Sequence, residues 1–317
     1  MKGDQLGIDE RTTLTSSNRL ELLLFRLGAP QRGNVRGLYA INVFKIREIA
    51  TMPELTPIAG SPSHLAGAVD VRGQIIPVVD IASIIGSVSD RPPGILLVTE
   101  FSRGTQAFAV DEVEDIVRLE WSNVLSAESS GTTGYVTGVA RIEASDGSTR
   151  LAQLLDVEQI MRDAFPQQHT DVTSDAVGGA VQLAGGRILA ADDSGFARAL
   201  IGQALTALEV PHMLANNGQA AWDLLQRMAD EAQSEGVPVR DKVSLVITDL
   251  EMPEMDGFML TRKIKGDARL KHVPVIIHSS LSGSANEAHA HKAGANGYIA
   301  KFAPAELSAA IRKALAA

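Results

Sequence analysis

The chain has 317 residues, 45% of them hydrophobic, and a formal net charge of −9. That length allows two ordinary domains, and the acidic balance without any block rich in Lys and Arg argues against nucleic acid as a partner. The absence of cysteine excludes disulfides, thiolate metal sites and thiol catalysis. No apolar run reaches the roughly 18 to 20 residues of a membrane helix, so direct membrane insertion is not expected and a cytoplasmic location is.

Residues 1–17 carry no apolar period and are expected to form a flexible tail. From Arg19 to about Glu120 the apolar residues fall in short bursts: "LELLLFRL", "LYAINVFKIREIA", "HLAGAVDVRGQIIPVVDI", "GILLVTE" and "QAFAVDEVEDIVRL". They are of strand length, rich in Val and Ile, and divided by Gly, Pro and Ser, which predicts an all-β unit of sandwich or barrel type. Arg72-Gly73 between two apolar runs predicts a hairpin, and Pro77 demands an edge position or a bulge. The helical spacing in "LLDVEQIMRDAF" (154–165) closes this first domain, placed at 18–165. Its acids, such as Asp70 and Asp80, have no matching base or hydroxyl and are read as structural or surface residues.

Residues 166–186 replace regular periods with polar residues and glycine, and are read as a flexible linker. The pattern then changes over 187–317. "RILAADD", "SLVITD", "PVIIHSS" and "GYIAKF" are strand candidates, and the last three are continuous apolar runs of the kind buried on both faces. Between them lie amphipathic helices: "GFARALIGQALTAL" with Phe196, Leu200, Ile201, Ala204 and Leu208 on one face, then "AAWDLLQRMADEA", "FMLTRKIKGD" and "PAELSAAIRKALA". This alternation predicts an α/β doubly wound parallel sheet with helices on both sides.

Ligands of such sheets bind outside the carboxyl ends of the strands. The residues at those ends are Asp192 and Asp193, Asp249, Ser279 and Ser280, and Lys301. Three carboxylates brought together repel one another by about 4 kcal/mol per pair at about 4 Å and an effective dielectric near 20. Lys301 offsets one charge, and a hard divalent ion such as Mg²⁺ would offset two more. With that charge neutralised, an ionised Asp249 can attack phosphorus and form an acyl phosphate, so the expected chemistry is phosphoryl transfer to aspartate. Each residue alone has a plainer reading: the acid pair as a helix cap, the serines as a turn, the lysine as surface. Their order on successive strand ends favours the functional one.

These stretches, "AADDS", "ITDLEMPEMDG", "PVIIHSS" and "GANGYIAKF", resemble the receiver domain of two-component response regulators, a flavodoxin-like fold. The resemblance implies that Asp193 binds Mg²⁺ directly and Asp192 through water. It implies that Asp249 accepts phosphate from a histidine kinase and contributes to the metal site, to which Glu251 offers its backbone carbonyl. Ser279 and Lys301 would contact the phosphoryl group, and Ser279 and Tyr298 would switch with it. Phe302 stands where the family usually has proline, which affects the loop after Lys301. Glu251 is a long acid two residues from the acceptor, expected to influence phosphate lifetime.

"LLLFRL", "YAINVFKIREI", "HLAGAVDVRGQIIPVVDI" and "FAVDEVEDIV" resemble the CheW family of chemotaxis coupling proteins. That implies paired small β-barrels that bind the signalling tip of a chemoreceptor and a CheA-type histidine kinase, with Ile46, Glu48 and Arg72 at positions implicated in the contacts. The joint order resembles that of CheV-type coupling proteins. It implies a chemotaxis scaffold associated with membrane-bound receptor arrays, modulated by phosphate on Asp249 in adaptation or as a phosphate sink, and not an enzyme beyond accepting phosphate and losing it by autodephosphorylation. A phosphatase of the haloacid-dehalogenase type also uses an aspartate after a strand, but needs a second aspartate where Glu251 stands. A receiver that is never phosphorylated is the third reading, against which the intact acid, hydroxyl and lysine set argues. "HAHKAG" invites a metal reading, yet His289 and His291 at i, i+2 diverge on a helix.

Overall fold

A computed structural model describes residues 19–31, 35–87, 92–101, 104–126, 134–143, 147–166, 177–280, 284–301 and 304–316. The expected tail at 1–17, residues 167–176 of the expected linker, and Phe302 lie outside the described residues. The described residues form two compact units, one on each side of 167–176.

The first unit contains β1 (Arg19–Gln31), β2 (Val35–Asn42), β3 (Ile46–Thr51), β4 (Leu65–Val71), β5 (Gln74–Asp80), β6 (Ile95–Phe101), β7 (Gly104–Val110), β8 (Glu112–Glu120), β9 (Val124–Ser126), β10 (Val136–Glu143) and β11 (Thr149–Leu155), with helices α1 (Ile81–Ile84) and α2 (Val157–Ala164). They build two sheets, of order β8-β1-β2-β11-β10-β9 and β3-β6-β7-β5-β4. The unbroken apolar run of β1 follows from burial on both faces. Leu20, Leu22 and Leu24 join Trp121 and Ala152 within the six-stranded sheet. Leu23, Phe25 and Leu27 join Val79, Phe108 and Ile160 in a core shared by both sheets and α2. Period 2 sends alternate residues to opposite faces, so a doubly buried strand shows no polar alternation.

The expected hairpin forms at Arg72-Gly73, both at positive φ (55° and 85°), as a two-residue turn of the type matched to strand twist requires. Asp70 holds it by accepting from the Gly73 N–H at 2.7 Å, and Asp80 caps α1 by accepting from the Ser83 N–H. Both acids therefore have local structural work. Pro77 is not at an edge, since β5 has neighbours on both sides, but it sits beside an irregularity of the β4–β5 register, where Leu65 pairs with Val79 and Gly67 with Val78. The parallel pairing with β7 begins only at Val78, so the ring sits beyond that ladder and costs it no donor. The strands β9, β10 and β11 went unread in the sequence. β11 is "TRLAQLL", rich in helix formers, and its pairing with β10 and β2 overrides that propensity.

The second unit is β12 (Arg187–Ala191), α3 (Gly195–Ala207), β13 (His212–Ala215), α4 (Gly218–Glu235), β14 (Val243–Thr248), α5 (Gly257–Gly266), β15 (Val275–Ser279), α6 (Ser284–Ala293), β16 (Gly297–Ala300) and α7 (Pro304–Ala316). The sheet is parallel throughout, in order β13-β12-β14-β15-β16. Leu189, Val246 and Val275 face α4 and α5; Ile188, Leu245, Ile247 and Ile276 face α3 and α7. On α3, Ala197 and Leu205 are buried with Phe196, Ile201, Ala204 and Leu208, while Leu200 is half-buried. Strand β13 was not anticipated: it has four residues, sits at the edge, and leaves Leu214 exposed.

Candidate functional site

The strand order reverses around β12, which opens a crevice at the carboxyl ends of β12 and β14. Ladder hydrogen bonds continue one residue past the strands and fix the side chains that follow. The Asp249 N–H donates to the Ala191 carbonyl at 2.8 Å, the Asp192 N–H to Ala215 at 3.2 Å, and the Lys301 N–H to Ser279 at 2.9 Å. Asp192, Asp249, Ser279 and Lys301 are buried there and Asp193 is half-buried.

Lys301 Nζ lies 2.7 Å from Asp192 Oδ2 and 3.1 Å from Asp249 Oδ2. One carboxylate oxygen from each of Asp192, Asp193 and Asp249 lies within 4.8 Å of the others. Three carboxylates against one ammonium leave two negative charges, the complement of a divalent cation. The donor atoms are all oxygens, which suits a hard ion. The arrangement therefore fits a metal of the Mg²⁺ class.

Tyr298 brings its phenol to Ser279, whose side chain hydrogen-bonds it; burial first, and then the charges of Asp249, Glu251 and Glu287, push that phenol well above its ordinary range. His278, beside Ser279, is held neutral: burial and then Lys301 lower its pKa to about 3. Tyr298, Glu251, Ser279 and Asp249 thus share one neighbourhood. The loop geometry around Phe302 lies outside the described residues.

Other residues of the site were not anticipated. Arg198, on α3, donates from Nη1 to the carbonyls of Asp192 (2.8 Å) and Asp193 (3.0 Å) and so closes the turn that bears both acids. Its signal in the sequence was a cation near a helix N-terminus, where the helix dipole disfavours one unless it has acceptors. Ser194 caps α3, and its N–H donates to Asp192 Oδ1. Gly257, the first residue of α5, is needed because a Cβ there would lie 2.1 Å from the Asp249 carbonyl oxygen.

Asp256, which caps α5 by accepting from the Met259 N–H, is pushed up to about 6, chiefly by burial. A folded-state pKa above the unfolded value contributes stability at low pH that is lost as pH rises through the folded pKa. Between about pH 4 and 6 the protein should therefore lose up to about 3 kcal/mol relative to Asp256→Asn, which keeps a capping oxygen but does not titrate. Chemical denaturation of both forms across that window checks this, and parallel pH curves would contradict it.

In the first unit, Ile46 is buried at the edge of the shared core, 8% exposed. Glu48 and Arg72 are at the surface and pair with each other at 2.9 Å. His289 and His291 do not converge: His289 meets Phe258 edge-on, and His291 lies 3.3 Å from the Ala295 carbonyl and 4.0 Å from Glu287.

Comparison with known proteins adds the family context. Residues 21–165 match the family model described as a CheW-like domain, and residues 188–312 match the response regulator receiver domain. Chemotaxis protein CheV2 of Helicobacter pylori is 31% identical over 97% of this chain and 98% of its own length. Chemotaxis protein CheV1 of the same organism is 31% identical over 98% of this chain and 97% of its own. Among solved structures, the scaffolding protein TtCheW from Thermoanaerobacter tengcongensis covers 44% of this chain and 89% of its own length, at 20% identity and a TM-score of 0.36.

Proposed function

Given that this chain belongs to the CheV family of chemotaxis proteins, we propose that it couples chemoreceptors to a CheA-type histidine kinase and that phosphate on Asp249 modulates the coupling. The observation that carries the reading is the buried constellation of Lys301 between Asp192 and Asp249, with Asp193 completing the oxygen set. The domains are taken as 18–165 for coupling and 187–317 for phosphate reception, in a protein of the cytoplasm at receptor arrays.

Asp192, Asp193 and Asp249, with the Glu251 backbone carbonyl, would hold Mg²⁺, which supplies charge neutralisation for an incoming phosphoryl group. Asp249 is the nucleophile. One of its carboxylate oxygens forms the new bond to phosphorus as the bond from phosphorus to the donor nitrogen breaks, and the donor imidazole leaves with the electron pair. Lys301, already 3.1 Å from Asp249, offsets charge on the phosphoryl oxygens. Ser279 donates its hydroxyl to one of them, which takes that hydroxyl from Tyr298.

Incubation with Mg²⁺ and a small phosphodonor should yield a base-labile phosphate on the native chain and at least about 100-fold less on Asp249→Asn. Equal labelling of both would sink the assignment. For the coupling half, Arg72 is exposed and its pairing with Glu48 is a surface ion pair, worth little to stability. Arg72→Glu should leave the fold intact but cut co-sedimentation with receptor and kinase about tenfold or more; unchanged co-sedimentation would remove Arg72 from the contact surface.

A further inference from the structure

Residues 177–186 were read from composition as linker, yet they lie against the second unit and outside the span matched by the receiver family model. Val177 is 2% exposed and packs with Leu307, Ile311, Ile201 and Leu205, while Val181 and Leu183 border the same cluster. Polar contacts reinforce that burial. Ser308 Oγ donates to the Val177 carbonyl. Arg312, one helical turn on from Ser308, donates to three carbonyls in succession: Gly178 (2.9 Å), Gly179 (2.6 Å) and Ala180 (3.3 Å). Two adjacent glycines at φ 73° and 82° give the turn this shape, which residues with a Cβ reach only with strain. The Val181 N–H then donates to the Leu208 carbonyl at the end of α3.

We infer that the α3–α7 face is a docking surface for residues 177–183 of the same chain, and that the phosphorylation site controls its occupancy. The control rests on the reading of Asp249 as phosphoacceptor. The cluster that receives Val177 also borders Ile299, which lies on β16 two residues before Lys301. In this structure Lys301 is drawn to Asp192 and Asp249, the arrangement of the unphosphorylated site, and the segment is docked. A phosphoryl group gives Lys301 a new anionic partner and draws Ser279 away from Tyr298, which moves β16. The segment, packed on β16 through Leu307, Ile311 and Ile299, loses its fit and releases. The two sites are then linked, and the factor by which the mimic weakens docking equals the factor by which docking weakens the mimic.

The test uses the full chain with Mg²⁺ and beryllofluoride, an acyl-phosphate mimic, and reads the hydrogen exchange of the Val181 amide, which donates to the Leu208 carbonyl in the docked segment. Without the mimic this amide should be protected, and with it bound should exchange about five- to tenfold faster. Arg312→Ala should release the segment without the mimic and tighten beryllofluoride binding by the same factor. A Gly178→Val, Gly179→Val double variant, which removes the turn from the other side of the contact, should do likewise. Fast exchange in the native chain before any mimic is added would overturn the docking. Bound beryllofluoride with unchanged exchange would overturn the control alone. A native chain that binds no beryllofluoride would instead overturn the acceptor reading, and with it the control.

Discussion

Replacing Lys301 with methionine should destabilise the second unit by about 3–5 kcal/mol in metal-free buffer, and Mg²⁺ should restore part of the loss. The ammonium is fully buried between two carboxylates, 2.7 Å and 3.1 Å away. Truncating one partner of a buried ion pair leaves an uncompensated charge, which costs far more than the pair contributes when intact. Methionine keeps most of the volume, so the loss measures charge rather than a cavity. A cation bound to Asp192, Asp193 and Asp249 supplies the missing charge, and ligand that binds only the folded state stabilises it by mass action. Thermal unfolding at a series of Mg²⁺ concentrations checks both parts. The variant should gain more from Mg²⁺ than the native chain does, and equal stability of the two without metal would refute the electrostatic account of the site.

Gly257→Ala should be nearly as damaging, though nothing about the substitution is polar. At a helix position, alanine for glycine ordinarily gains up to about 1 kcal/mol from propensity. Here the new Cβ would lie 2.1 Å from the Asp249 carbonyl oxygen and 3.1 Å from the Leu250 Cα. Both are backbone atoms with no rotamer to yield, so the chain itself must shift, and overpacking of that kind costs about 1–3 kcal/mol or more. The clash outweighs the propensity gain. The Asp249 backbone would move with it, so Mg²⁺ affinity should fall along with stability. Gly266→Ala is the control on the same helix: nothing lies within 4 Å of its added Cβ, and it should be neutral or mildly stabilising. Urea unfolding and Mg²⁺ titration of the two variants decide the matter; equal behaviour would show that the close approach at Gly257 is not maintained in solution.

The first prediction turns on a residue whose chemistry was readable before any fold was known, whereas the need for Gly257 shows only in the close approach of the Asp249 carbonyl. Asp192, Asp193, Asp249, Ser279 and Lys301 each follow an apolar run of strand length, and a parallel sheet brings such ends to one edge. The same logic exposed Arg72-Gly73, because a two-residue turn with positive φ has few sequence solutions. Elements of weak local signature were not legible. β13 is four residues long with partly exposed side chains, and β11 is written in helix formers; both exist because neighbouring strands pair with them. That Ile46 is buried in the core of the first unit was likewise not legible from its position in a strand-length run.

The sequence by itself determined which residues can carry charge and nucleophilic chemistry, because side-chain type and strand-end position are local properties of the chain. The tertiary structure decided how those charges are balanced. Lys301 lies more than fifty residues from Asp249 and more than a hundred from Asp192, and only the parallel pairing of β12, β14, β15 and β16 puts its ammonium between them. It also decided the fate of the glycine-rich stretch after Val177, whose composition suggests freedom. A buried valine and three carbonyls converging on Arg312 hold it down, because contact with a distant helix offsets an entropy that local composition alone cannot.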